Sequence, residues 1–285
     1  MLSPHDIRRR IKSVGSTAQI TRAMQMVAAS KMRKAQQATL TARPFGQLLY
    51  RIQRHATTHV IDFTHPLLAV REIKKHCVVL IGTDKGLCGS LNTNLFREAG
   101  KFDPVRTVYI AAGKRAAQFV ARSRRQLAAE FSFTDSPRFA EARPIAALAR
   151  ELFLKREVDQ VQIVATQFVN TMTQQPRVVE FLPIGEIRGI KIPGVDSEAD
   201  LVHDTKKIVF EPNPEAVLSY LFGHYLNILV YLLLLEAKAS EQSARMVAMT
   251  NATENATSLI KHLMLEYHKM RQNNVTKEIL EIAGG

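Results

Sequence analysis

At 285 residues, 46% of them apolar, the chain can hold two domains and bury a real core. Its longest unbroken apolar run, Ile228 to Leu235, is too short to span a bilayer; no apolar signal-peptide core stands at the start, and two cysteines, Cys77 and Cys88, make neither a disulfide framework nor a cysteine metal cluster. The formal charge of +13 is uneven: residues 1–57 carry eleven Lys or Arg against the single acid Asp6, and residues 212–285 carry six against seven, which implies an acidic partner for the N-terminal part, whether protein, nucleic acid or lipid head group.

An Arg-rich, acid-poor start has the composition of a mitochondrial transit peptide, but regular helix signals mark it as a permanent part of the fold. Ser3-Pro4-His5-Asp6 is a capped helix start, with Ser3 as cap, Pro4 at the first position and Asp6 on the positive end of the dipole. Ile7, Ile11, Val14, Ala18 and Thr21 then alternate four and three residues apart, and Ile20, Met24 and Val27 extend an apolar stripe alongside. Pro44 is expected to bend or end this helix near Ala42, with the pattern resuming through Leu48, Leu49 and Ile52. Residues 1–57 are thus one coiled-coil helix.

The middle, residues 74–184, is written differently. Cys77 to Ile81 is a short apolar, β-branched run, as in a buried strand. A loop, Gly82 to Gly89, leads into a helix from about Asn92. A second strand, Thr107 to Ala111, passes Gly113 into a helix from Arg115 to about Arg125. A third helix is expected from Pro144 to Arg156, a strand from Val161 to Val169, and a last strand from Arg177 to Leu182 as an antiparallel edge. Strands alternating with helices predict an α/β layer with a largely parallel sheet. Gly185 to Thr205, with three glycines and Pro193, reads as a loose connection.

Residues 206–285 form the C-terminal segment, whose helix starts at Asn213-Pro214-Glu215 and meets no glycine between Gly223 and Gly284. Its second half carries a seam at Leu235, Ala239, Gln242, Met246, Met249, Thr253, Ala256, Ile260, Leu263, Tyr267, Met270 and Asn274, the 3.5-residue repeat of a left-handed coiled coil. The fold class is therefore α/β: a long antiparallel coiled coil of N- and C-terminal helices with a Rossmann-like α/β domain between them.

The Gly82–Gly89 loop sits where a doubly wound sheet places a phosphate-binding turn, yet it lacks both G-x-G-x-x-G and a G-K-[ST] ending, which favours a structural turn. Cys88, near Lys85 at a helix start, has the setting of an activated thiol; without an accompanying Cys-His-Asp order, a buried small residue is the simpler reading. His262 and His268 are not at chelating spacing, so no metal is assigned. Arg8-Arg9-Arg10-Lys12 and Lys31-Arg33-Lys34 point around a helix and have no interleaved aromatics, which fits a charged coiled-coil exterior at least as well as a nucleic-acid patch.

Ile20 to Ala35 (ITRAMQMVAASKMRKA) strongly resembles the gamma subunit of F-type ATP synthases. The likeness returns at Thr83 to Gly89, Phe168 to Met172, Ala239 to Met249 and Val275 to Glu278, in order, from one end of the chain to the other. The resemblance implies a non-catalytic rotor: a shaft inside a hexamer of alpha and beta subunits, a foot on the epsilon subunit and the membrane c-ring, and rotation that couples ion flow to ATP synthesis or hydrolysis at the beta subunits. It implies no cofactor and no nucleic acid. By residue match, Met24, Arg245, Gln272 and Thr276 fall where the family's shaft meets the beta subunits. With the likeness beginning inside the first ten residues, no transit peptide is expected, and the cytoplasmic face of a bacterial plasma membrane is the expected location.

Some positions depart from that family. Asp84-Lys85 stands for the usual Asp-Arg, Gly89-Ser90 for a glycine pair, Asn273-Asn274 for small residues, and the closing signature stops at Gly285. No cysteine pair of the chloroplast redox-regulated type is present. The competing readings are a basic coiled-coil nucleic-acid-binding protein and a stand-alone nucleotide enzyme. The first lacks a basic and aromatic stripe; the second lacks an intact phosphate loop.

Overall fold

The computed structural model describes residues 3–58, 65–184 and 214–284. The expected cap Asn213 and the Gly185–Thr205 connection lie outside the described residues. The chain divides into two compact units, residues 1–30 with 245–285, and residues 31–244. Both terminal helices contribute to both units.

Helix α1 (Pro4–Thr58) opens with a reciprocal cap: the Asp6 amide donates to Ser3 Oγ (3.2 Å), while the Ser3 hydroxyl and amide both donate to the Asp6 carboxylate (2.7 and 3.3 Å). Those bonds from Ser3 hold the Asp6 carboxyl below its usual range. Between Ile7 and Ala42 the positions Ile7, Ile11, Val14, Ala18, Thr21, Gln25, Ala28, Met32, Ala35, Thr39 and Ala42 are all buried or half-buried, a seven-residue repeat. The expected widening of the stripe at Ile20 and Val27 is wrong. They are 60% and 54% exposed, and small Ala28 and Ala35 carry the seam instead. Nor does α1 end near Ala42. Pro44 sits inside it, exposed, one turn beyond the 54% exposed Leu40, so the carbonyl that loses its N–H partner faces water.

Helix α5 (Pro214–Ala283), about 105 Å long at about 1.5 Å per residue, has two characters. From Ile228 to Arg245 it is buried all round except at Tyr231 and Glu236. A stretch of it is apolar enough to cross a bilayer by composition, but 61% of that window is buried in the protein, so it serves as a core helix. Beyond Arg245 burial narrows to one stripe through Met249, Ala256 and Leu263, with Met246, Thr253, Ile260, Tyr267 and Met270 half-buried beside it. In the first unit α1 and α5 pair antiparallel through these stripes, and Thr21 Oγ1 lies 2.7 Å from Thr253 Oγ1.

That contact supplies a direct test. In a Thr21→Cys/Thr253→Cys double variant, mild oxidation should close a disulfide within one chain, seen as a faster-running band on non-reducing gels. The native cysteines should not compete. Cys77 and Cys88 are 0% and 2% exposed, and burial pushes the Cys77 thiol up to about 12. Crosslinks only between chains would disprove the pairing.

In the second unit lies a five-stranded sheet, ordered β3-β2-β1-β4-β5. Strands β1 (His76–Ile81), β2 (Thr107–Ala112), β3 (Gln126–Phe131) and β4 (Gln160–Phe168) are parallel; β5 (Gln174–Leu182) runs antiparallel to β4 at the edge. Alternation along the central strands splits the core. Val78, Leu80, Tyr109 and Ala111 pack with Leu95 of α2 (Leu91–Ala99) and Ala116 and Val120 of α3 (Lys114–Arg122). Cys77, Val79, Ile81 and Ile110 pack with Ile145 and Phe153 of α4 (Phe139–Leu154) and with Ile228 to Leu234 of α5. Helix α4 starts five residues before Pro144, because Glu141 accepts from the Arg138 amide (2.7 Å) and caps an earlier first turn.

Candidate functional site

In an open parallel sheet, ligands bind beyond the carboxyl ends of the strands where the strand order reverses, here between β1 and β4. The turn after β1 spends its polar groups internally. Thr83 Oγ1 donates to the Lys85 carbonyl (2.9 Å) and accepts from Asn92 Nδ2 (2.8 Å), the Thr83 carbonyl accepts from the Arg115 amide (2.9 Å), and Asp84 Oδ1 accepts from the Lys114 amide (3.0 Å). A carboxylate of the protein thus occupies the positive N-terminus of α3 that would otherwise attract an anion. Glycine suits two positions here. Gly113 has φ +99°, and a Cβ there would lie 2.7 Å from the Gly82 carbonyl oxygen; Gly89 has φ +59°.

The rest of the crevice is filled by α5. Phe168 N–H donates to Glu236 Oε1 (3.3 Å), Ser240 Oγ donates to the Thr166 carbonyl (3.2 Å), and Ser243 Oγ donates to the Thr171 carbonyl (2.8 Å). Between them Lys238, 1% exposed, places its ammonium 3.0 Å from Glu241 Oε2, 3.7 Å from Asp135 Oδ1 and 4.0 Å from Asp84 Oδ2, with the Phe133 ring centroid at 4.7 Å. Lys31 of α1 pairs with the other oxygen of Asp135 (2.5 Å), and this hydrogen bond, with the Lys238 charge behind it, holds the Asp135 carboxyl below its usual range. A buried ammonium is stable only with such partners. What a dinucleotide fold reserves for a ligand is occupied here by the protein's own helix.

Nothing in the amino-acid pattern singles out Lys238. The signal available was the run Lys238 to Arg245, too polar for an apolar seam directly after Leu232 to Leu235. Of the four residues assigned by resemblance, Met24 is half-buried on α1, Arg245 is 7% exposed, and Gln272 and Thr276 are exposed on α5, where Thr276 Oγ1 donates to the Gln272 carbonyl (2.9 Å). The structure does not gather them into one cluster. With Thr21 opposite Thr253 in an antiparallel pair, Pro4 comes opposite about residue 270, so the last turns of α5 pass the start of α1. Val275, Ile279, Leu280 and Ile282 on those turns are exposed. The basic side chains Arg8, Arg9, Arg10, Lys12, Arg22, Arg33 and Lys34 are all exposed on α1.

A family model described as ATP synthase matches residues 3–285. An ATP synthase gamma chain from Opitutus terrae is 44% identical over 295 residues, covering 99% of this chain and 97% of that protein. One from Methylacidiphilum infernorum is 42% identical over 288 residues, covering 99% and 98%. Among solved structures, a chain of the central stalk and c-ring of the Tetrahymena thermophila mitochondrial ATP synthase superposes with a TM-score of 0.58 at 27% identity, over 82% of this chain and 99% of that one. A chain of the Euglena gracilis mitochondrial ATP synthase rotor has the same fold, with a TM-score of 0.65 at 22% identity over 95% and 98%.

Proposed function

Because this chain belongs to the ATP synthase gamma-chain family, the non-catalytic rotor of the F-type enzyme, we propose that its α1–α5 coil turns inside a hexamer of alpha and beta subunits. In this reading the α/β layer joins an epsilon subunit and a c-ring, and the complex lies on the cytoplasmic face of a bacterial plasma membrane. The observation that carries the stator contact is the end of α5, whose described residues run past the position opposite Pro4. Four exposed apolar side chains among the described residues of those last turns call for a surrounding sleeve. Gln272 and Thr276 lie on the same turns, so we assign them direct contact with it. Met24 contributes from the edge of the α1 seam. Arg245, 7% exposed, has the smallest share of that surface.

The basic exterior of α1 supplies the long-range part. Exposed ion pairs contribute only about 0.2–1 kcal/mol each, so no single arginine is decisive, but their sum steers association and is screened by salt. A shaft that must turn also needs contacts that are individually weak. Neutralising Arg33 and Lys34 together, both exposed, should slow association with an alpha–beta hexamer and flatten the dependence of that rate on salt. The nucleic-acid reading requires a steep salt slope with DNA or RNA, reduced by roughly one unit for each phosphate-binding cation removed. Rate measurements with both partners across a salt series separate the two; a slope with nucleic acid and none with the hexamer overturns the rotor assignment of this surface.

A further inference from the structure

We propose that Lys238 is the positioning residue that locks α5 to the sheet, so that torque carried by α5 reaches the α/β layer through this ion-paired junction as well as through the apolar core. The inference rests on the rotor function of the chain. Apolar contacts between α5 and the sheet are non-directional and permit small sliding of packed elements. The polar junction does not. Lys238 reaches carboxylates on three different segments: Asp84 after β1, Asp135 before α4, and Glu241 one turn along α5. Asp135 is shared with Lys31, so α1 is tied to the same loop.

Glu236, Ser240 and Ser243 meet backbone groups at Phe168, Thr166 and Thr171 within about two turns of helix. Advancing α5 by one residue, a rotation of about 100° with a rise of about 1.5 Å, would carry all three side chains away from these backbone groups together. The junction therefore fixes both register and rotation of α5 against the sheet, which an apolar face alone leaves soft.

The test uses the assembled enzyme in sealed vesicles. Lys238→Met keeps the aliphatic stem and removes the charge, leaving Asp84, Asp135 and Glu241 without that cation. ATP hydrolysis should persist, while the ion gradient it builds against an opposing gradient should fall in a complex that retains the wild-type complement of subunits. Amide exchange over residues 236–243 should accelerate on the order of 10²-fold, the scale of removing one partner of a buried ion pair. In Lys238→Ala, n-propylammonium, which replaces the missing atoms and charge, should restore the gradient, and n-propanol should not.

Where a Lys238 variant does not assemble, Asp135→Asn, at a half-exposed partner, carries the same test with a smaller expected loss. A wild-type gradient and wild-type exchange in Lys238→Met, or in Asp135→Asn where that stands in, would overturn the proposal; so would rescue by n-propanol, since the side chain would then act only by filling space. A wild-type complex that hydrolyses ATP but builds no gradient would count against the rotor reading itself, not against the lock.

Discussion

Replacing Gly113 with valine should destabilise the α/β unit by roughly 3 kcal/mol or more, since a β-branched residue would be forced to positive φ and a Cβ would lie 2.7 Å from the Gly82 carbonyl oxygen. Both backbones are held in place, because the Gly82 amide donates to the Ala112 carbonyl and the Gly113 amide to the Phe131 carbonyl, each at 2.8 Å. Neither strand end can retreat without breaking a ladder bond. In a unit of this size about 3 kcal/mol corresponds to a Tm lower by about 6–12 °C. Calorimetry of the purified chain measures it. A Gly113→Val chain that melts with the wild type would mean that the β1 and β2 ends move apart freely.

The coil should be as sensitive at Ala28, which is 1% exposed in the α1 seam. Ala28→Asp places a carboxylate at a seam position with almost no access to water, at a cost of several kcal/mol when ionised. Burial raises the pKa of such a group above its unfolded value of about 3.9, so the folded state binds the extra proton. The loss is then greatest at neutral pH and shrinks as pH falls through the raised pKa. Ala28→Asn, the same shape without the charge, should show no such recovery. Thermal melts of both variants at several pH values, followed by helical circular dichroism, decide the matter. Equal loss at all pH values for Asp and Asn would place position 28 at the surface.

The long helices were legible because a seven-residue repeat survives in the letters wherever the buried residue is large. Ile7, Ile11, Met249 and Leu263 announce themselves. Ala28 and Ala35 do not, and their larger neighbours Ile20 and Val27 drew the stripe to the wrong side. Strand β3 escaped notice for a related reason. At the open edge of the sheet, Gln126 to Glu130 is mostly exposed and built from Gln, Leu, Ala and Glu, with no β-branched run to mark it. Pro44 misled because the rule against proline in helices assumes a carbonyl that cannot turn to water.

At the sheet end, the absence of a phosphate signature could be read from Gly82 to Gly89, but not its cause. Lys238, Glu241, Asp84 and Asp135 are brought together from places far apart in the chain, and each alone looks like a surface charge. Burial of charge leaves no local pattern; only the fold creates it. The seam letters Ala239 and Gln242 were correctly buried, yet for a different reason from that of a two-helix coil, since α5 there is enclosed on every side.

That enclosure bears on how the chain is made. Phe222 to Ala237 supply a large share of the core against β1, β2 and β4, and they follow every strand in sequence. During synthesis from the N-terminus, Cys77, Val79, Ile110 and Ile163 therefore wait beside α4 with one side of their layer uncovered until α5 leaves the ribosome. The sheet joins distant segments, which makes it slow to close, and its apolar face stays available to wrong partners meanwhile. A nascent chain stopped before Pro214 is thus a natural substrate for chaperones, and the final helix is the step that ends that exposure.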